Sequence, residues 1–227
     1  MAAAGASISL VSAADRAQAP LPGLRERKKA RTRTAIQRVA IELFRAQGYE
    51  ATTVEQIAAA AEVSPSTFFR YFPTKEDVVV RDDYDRLMLD AFRAQPGHLT
   101  PIQAARAAIL QLAEALRRLS PAELALEQER ARLQFSVPEI RAHFIDEVFR
   151  AFWLFAEAVA ARTGGSPESL SVRTFTGALL GAMMGAYLPV GAEGGDLAGE
   201  NSGLTLTGDL VERMDRALGL LEAGLPL

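Results

Sequence analysis

The chain has 227 residues, 49% of them hydrophobic, and no cysteine. That is enough apolar material for one or two packed domains. It excludes disulfides and thiolate metal sites and fits a reducing cytoplasm. The net charge of −3 hides a split, with residues 1–75 carrying +5 and residues 76–227 carrying −8, the pattern of a polyanion-binding head on a body that binds something else.

Residues 1–24 are rich in Ala, Ser and Pro and show no helical period, which predicts a disordered extension. A signal peptide is disfavoured because the start is not basic and ISLV is too short for an apolar core. Residues 25–34, RERKKARTRT, lead directly into a helix. Arg31 and Arg33 within this run are read as a phosphate-tracking or minor-groove arm. Ile36, Val39, Ala40, Leu43 and Phe44 fall on one helical face, and Gly48 closes that helix.

The stretch from Thr52 to Lys75 organises the rest. Thr53 and Gln56 make a capping box for a short alanine-rich helix. Ser64 caps a second helix with Pro65 at its first position, where the missing N–H is no loss. Phe68 and Phe72 point inward, leaving Ser66, Thr67, Phe69, Arg70 and Tyr71 outside. Two short helices joined by a tight turn form the unit whose second helix enters the major groove. Thr74 caps the next helix. Lys75 in its first turn is disfavoured by the helix dipole, a cost explained if Lys75 and the free N–H groups hold a phosphate.

TTVEQIAAAAEVSPSTFFRYFPTKEDV resembles the DNA-binding signature of the tetracycline-repressor (TetR-type) regulators, from about Arg31 to Val78. One departure is Glu62, where that family usually has a glycine at the turn. The resemblance implies that Thr53, Tyr71 and Lys75 hold phosphates. It also implies that Ser64, Pro65, Ser66 and Thr67 open the recognition helix, and that Phe69 and Arg70 face base edges. Arginine suits a guanine and an apolar ring suits a thymine methyl.

The body, residues 76–227, reads as helix after helix without strand alternation. The expected spans are 78–94, 101–119, one after Ser120-Pro121, 138–162, one from Ser166-Pro167 to Leu188, and one from Thr205 or Thr207. Five glycines between 191 and 203 mark a mobile loop. The uncharged run 174–192 is long enough for a bilayer, but Pro189, its threonines and its glycines argue against a span. The expected fold is therefore all-α: a helix-turn-helix head over 25–75 and a six-helix body for ligand binding and dimerisation.

Phe149, Phe152 and Trp153 on the long fourth body helix, with Met183, Met184, Arg130 and Gln134, are the expected ligand-pocket residues. Gly177, Gly181 and Gly185 form a groove that lets a second helix approach. The TetR-type resemblance implies that the last two helices build a two-fold interface, so these glycines, Met214 and Leu221 are expected at a homodimer contact. No catalytic, metal or cofactor set emerges: His98 and His143 lack partners at ligand spacing, and Asp82, Asp83 and Asp85 point to different faces. The resulting expectation is a cytoplasmic homodimeric repressor, not an enzyme, released from a palindromic operator by a small hydrophobic or amphipathic effector. VPEIRAHFIDEV is similar to a subgroup whose body is associated with acyl-CoA-like ligands. The competing reading is a ligand-binding or scaffold protein whose helix pair contacts a protein.

Overall fold

A computed structural model describes residues 23–80, 84–188 and 208–225, all helices and their connections. Residues 1–22 of the extension expected over 1–24, the glycine loop, Asp82 and Asp83 lie outside the described residues, and Leu24 already belongs to the first helix.

In the head, α1 (Leu24–Gln47) begins with the basic run itself, so residues 25–34 are helical where an arm was expected. Ile36, Ala40, Ile41 and Phe44 are its buried stripe. It ends at Gly48, whose φ of 87° is open to glycine and strained for other residues. The capping box of Thr53 and Gln56 opens α2 (Val54–Ala60). Ser64 accepts from Thr67 N to open α3 (Pro65–Tyr71), with Pro65 at its start. Between them Glu62 occupies the left-handed region at φ 55°. The turn thus keeps the geometry a glycine would adopt, and the glutamate bears the strain. Thr74 and Asp77 then bond reciprocally (Thr74 N to Asp77 Oδ2, 3.0 Å; Asp77 N to Thr74 Oγ1, 3.2 Å) and start the one-turn α4 (Asp77–Val80).

The body comprises α5 (Tyr84–Arg93), α6 (Pro101–Leu116), α7 (Pro121–Ser136), α8 (Pro138–Thr163), α9 (Leu170–Tyr187) and α10 (Gly208–Glu222). Ser120 and Glu123 form a capping box on α7. The helix expected from Ser166-Pro167 starts later, because residues 166–169 make a turn and Ser169 takes the cap by accepting from Val172 N. Helices α8, α9, α10 and α6 pack in sequence, and α5 lies against α6 and α8. Arg162 on α8 donates to the carbonyls of Phe92, Gln95, Pro96 and Leu99 and pins the α5–α6 connection. Among the described residues no helix is long and apolar enough to cross a membrane.

Two main cores result. One lies inside the body, built on Phe92, Ile109, Phe155, Leu179 and Leu218. The other fills the head with Ile36, Phe44, Ile57, Phe68, Phe72, Val78 and Val79, and also takes in Leu133 of α7 and Ile140 of α8. Body residues thus complete the core of the head, and α4, expected in the body, is buried in it.

Candidate functional site

The outer face of α3 presents Ser66, Phe69 and Arg70 to solvent, with Phe69 49% exposed although aromatic. Burial of Phe68 and Phe72 beneath sets this orientation, since residues four apart share a helix face. Phe69 rests edge-on against Phe68, and the Arg70 guanidinium lies 5.5 Å from the Tyr71 ring centroid. Ser64 donates to Thr67 Oγ1 at 2.9 Å and lies 2.9 Å from the Ser66 hydroxyl, so a short hydroxyl ladder lines the N-terminus of the helix. Thr53 is exposed at the start of α2 and Arg31 is exposed on α1. Arg33 is half-buried, its guanidinium 5.3 Å from the Phe72 ring centroid.

Lys75 departs from the sequence argument. Its ammonium donates to the carbonyls of Tyr49 (3.0 Å) and Thr52 (3.1 Å) and sits 3.9 Å from the Tyr49 ring centroid. These partners account for a lysine at the start of α4 without a phosphate. The Tyr49 hydroxyl donates in turn to Glu76. Burial, and then the hydrogen bond and charge of Glu76, push the Tyr49 phenol well above its ordinary range. Burial would raise the Glu76 carboxyl, but hydrogen bonds from Tyr49, its own backbone and Thr74 outweigh it and hold it below the usual carboxylate value.

A second site lies beneath the head. A cavity of about 180 Å³ is bounded by α4, α5, α6, α7, α8, α9 and α10, with Val80, Phe155, Leu180, Met183, Met184 and Val211 on its walls. Its polar groups are Arg130, Gln134, Glu147 and Tyr187. Arg130 is buried; its Nε donates to Glu127 (2.7 Å) and its Nη1 to the Val79 carbonyl (3.0 Å). Gln134 Nε2 donates to the same carbonyl at 3.5 Å, and Gln134 Oε1 accepts from the Tyr187 hydroxyl at 2.7 Å. The preceding carbonyl, Val78, accepts from Gln37 of α1 at 3.3 Å. Adjacent carbonyls of one helical turn are thus held from the head on one side and from the cavity on the other.

Of the expected pocket residues, Arg130, Gln134, Met183 and Met184 line the cavity. Phe149, Phe152 and Trp153 do not. Phe149 (67% exposed) and Trp153 (49% exposed) face outward with Ile145. The Phe152 ring lies 3.8 Å from where a Cβ on Gly177 would sit. Among the expected interface residues, Gly181 and Gly185 are exposed and a Cβ at either would meet open space. Met214 instead turns into the cavity, and Leu221 is half-buried. On α10, Arg106 of α6 forms ion pairs with Asp215 and Glu222, both at 2.8 Å, which fixes that helix within its own chain.

Residues 36–81 match the family described as bacterial regulatory proteins, tetR family, and residues 99–226 match the MftR C-terminal domain. The chain belongs to the TetR family of bacterial regulatory proteins. Among TetR-family relatives it is 40% identical over 147 residues to the HTH-type transcriptional regulator TcmR of Streptomyces glaucescens, covering 63% of this chain and 65% of TcmR. It is 30% identical over 168 residues to MftR of Mycobacterium tuberculosis, covering 71% of this chain and 80% of MftR. The structure of the TetR-family repressor FadR from Thermus thermophilus, determined with lauroyl-CoA, matches with 26% identity and a TM-score of 0.46, over 86% of this chain and 95% of FadR.

Sequence reasoning missed Asp77. This residue is buried in α4, and its Oδ1 lies 2.9 Å from Nε2 of His143 on α8. Glu147 stands one turn further along α8, and the three groups offer ligand atoms all within 4.8 Å of one another. His143 was expected to lack a partner at ligand spacing; Glu147 stands at i+4 on the same helix, and Asp77 lies 66 residues earlier.

Proposed function

We propose that this TetR-family chain is a homodimeric, sequence-specific DNA-binding regulator that a small apolar or amphipathic molecule releases from a palindromic operator. The observation that carries it is the α3 face: Phe69 and Arg70 are exposed on a helix anchored by buried Phe68 and Phe72. An exposed phenylalanine beside an arginine on the second helix of a turn pair suits a thymine methyl and a guanine in a major groove. Ser64, Pro65, Ser66 and Thr67 bring the helix N-terminus to the backbone, and Thr53, Tyr71 and Arg31 add phosphate contacts. Lys75 and Arg33 are assigned to holding the head together.

The second copy is proposed to cover α8 and α9. Ile145, Phe149 and Trp153 recur every fourth residue on α8, and the Gly181–Gly185 groove lies on neighbouring α9. Exposed aromatic anchors beside a groove with no side chains suit a self-complementary two-fold contact. This moves the partner surface from α9 with α10 to α8 with α9.

The effector is proposed to enter the cavity under α4. An apolar void of about 150 Å³ takes up benzene, so the 180 Å³ here suits one ring or a short chain before any opening. A polar group on that molecule would compete with the Val79 carbonyl for Arg130 and Gln134. Loss of that hold lets α4 follow the head, changing the separation of the two α3 helices from the about 34–36 Å that successive major grooves require.

The test is operator selection followed by Arg70→Ala. Binding to the selected site should weaken by about 1–3 kcal/mol and lose preference at one base position. Equal loss on specific and random duplexes removes the base-reading role.

A further inference from the structure

We infer that Asp77, His143 and Glu147 form a binding site for a first-row divalent metal ion such as Zn²⁺ at the joint between head and body. The three donors are already assembled. His143 and Glu147 project from one face of α8 a single turn apart, and Asp77 meets them from α4. An ion held at about 2.0–2.2 Å by tetrahedral ligands separates its donor atoms by roughly 3.3–3.6 Å. The Asp77–His143 pair stands at 2.9 Å and the whole set lies within 4.8 Å, so occupancy needs only a slight spreading of the first pair and a rotation of Glu147. Arg150, which lies 3.4 Å from Glu147 and has a 56% exposed side chain, can swing aside.

The surroundings favour an ion over a solvated surface cluster. The side chain of Asp77 is 1% exposed, that of Glu147 14% and that of His143 26%. Asp77 is further oriented because its other oxygen accepts from Thr74 N. A hydrogen bond that fixes a ligating carboxylate is the kind of support metal sites use. One imidazole and two carboxylates suit Zn²⁺, Mn²⁺ or Co²⁺. They do not suit Ca²⁺, which takes six to eight oxygens, or Mg²⁺, which keeps its waters and oxygen ligands.

The ion would tie Asp77, in the first turn of α4, to α8, in addition to the Arg130 hold on the Val79 carbonyl. Taken with the proposed release mechanism, on which this consequence rests, a bound metal opposes displacement of α4 and raises the effector concentration needed for release.

The binding test does not depend on DNA. Full-length protein stripped with EDTA is titrated with ZnCl₂ by calorimetry in a non-chelating buffer, and with CoCl₂ by visible absorption. The inference predicts one ion per chain, a Co²⁺ d–d band, and a rise in Tm of about 5–11 °C at a hundredfold excess over Kd. His143→Ala and Glu147→Gln should each weaken binding by about 10-fold or more, while His98→Ala should leave it unchanged. Circular dichroism of the metal-free variants confirms that they fold, and Glu147→Gln keeps the shape of the side chain. No stoichiometric uptake below 100 µM (roughly the weakest affinity useful in a cell), or equal uptake by the His143 and Glu147 variants, overturns the site. If uptake is as predicted but Zn²⁺ leaves effector-driven release of DNA unchanged, the site stands and its coupling to the head is wrong.

Discussion

Replacing Lys75 by methionine keeps most of the aliphatic stem and removes the ammonium. In the native head that group donates to the Tyr49 and Thr52 carbonyls and lies over the Tyr49 ring. Hydrogen bonds from a charged donor contribute about 1.5–3 kcal/mol each, and a cation over an aromatic face adds about 0.5–1 kcal/mol. Two factors reduce the sum: the site is only half-buried, and the Tyr49 carbonyl keeps a second donor in Thr52 N at 3.2 Å. The expected loss is about 2–4 kcal/mol. At about 2–4 °C per kcal/mol for a chain of this size, Tm falls by about 4–16 °C. Urea unfolding followed by circular dichroism measures the first quantity, and the salt dependence of operator binding measures the role. A lysine that holds the Tyr49–Thr52 connection leaves the slope of log K against log salt unchanged. One that neutralises a phosphate flattens the slope by about 0.9. Stability within about 0.5 kcal/mol of the parent, the level of a neutral surface change, together with a flattened slope would refute the structural assignment and restore the phosphate contact.

Three further substitutions probe separate parts of the account. Glu62→Gly should raise stability by about 0.5–1 kcal/mol in urea unfolding, because the relief of a left-handed φ exceeds the added entropy of the unfolded chain; a loss would mean that the turn is not strained. A Cβ at Gly181 would meet no atom of the described residues within 4 Å, so the isolated fold should tolerate Gly181→Leu while the dimer dissociates in sedimentation or light scattering. An unchanged dimer mass would place the two-fold contact elsewhere. Asp215→Asn tests the α6–α10 ion pair through pH. The hydrogen bond from Arg106 is the main cause holding the Asp215 carboxyl below its ordinary value. Its contribution is therefore present above about pH 3.9, the unfolded aspartate value, and fades as pH falls through the lower folded value. The asparagine variant should show a shallower loss of stability across that acid window, and identical acid limbs would show the pair to be idle.

The parts legible in the sequence are those written within a few residues of each other. Thr53 with Gln56, Ser64 with Pro65 and Ser120 with Glu123 fix helix starts through contacts three residues apart, and Gly48 and Gly164 close α1 and α8 with positive φ. The illegible parts are set by distant partners. The carbonyls that hold Lys75 lie 26 and 23 residues earlier in the chain. Phe149 and Trp153 carry the same aromatic signal whether they face a pocket or a second copy, and only the rotation of α8 decides. Met214 fits an interface as well as a cavity wall until the packing of α10 turns it inward. Asp77 looks like an ordinary first-turn acid, and only the docking of α8 brings His143 and Glu147 to it.

The central claim is that α3, presented twice by paired chains, reads duplex DNA. Selection of genomic duplexes by the purified full chain at low ionic strength, followed by mass measurement of the recovered complexes, tests it most directly. The account predicts an enriched inverted repeat with half-sites one helical turn apart or a multiple of it, bound by two chains and weakened steeply by salt. Recovery of no sequence above background, or of a site without two-fold symmetry bound by a single chain, contradicts it.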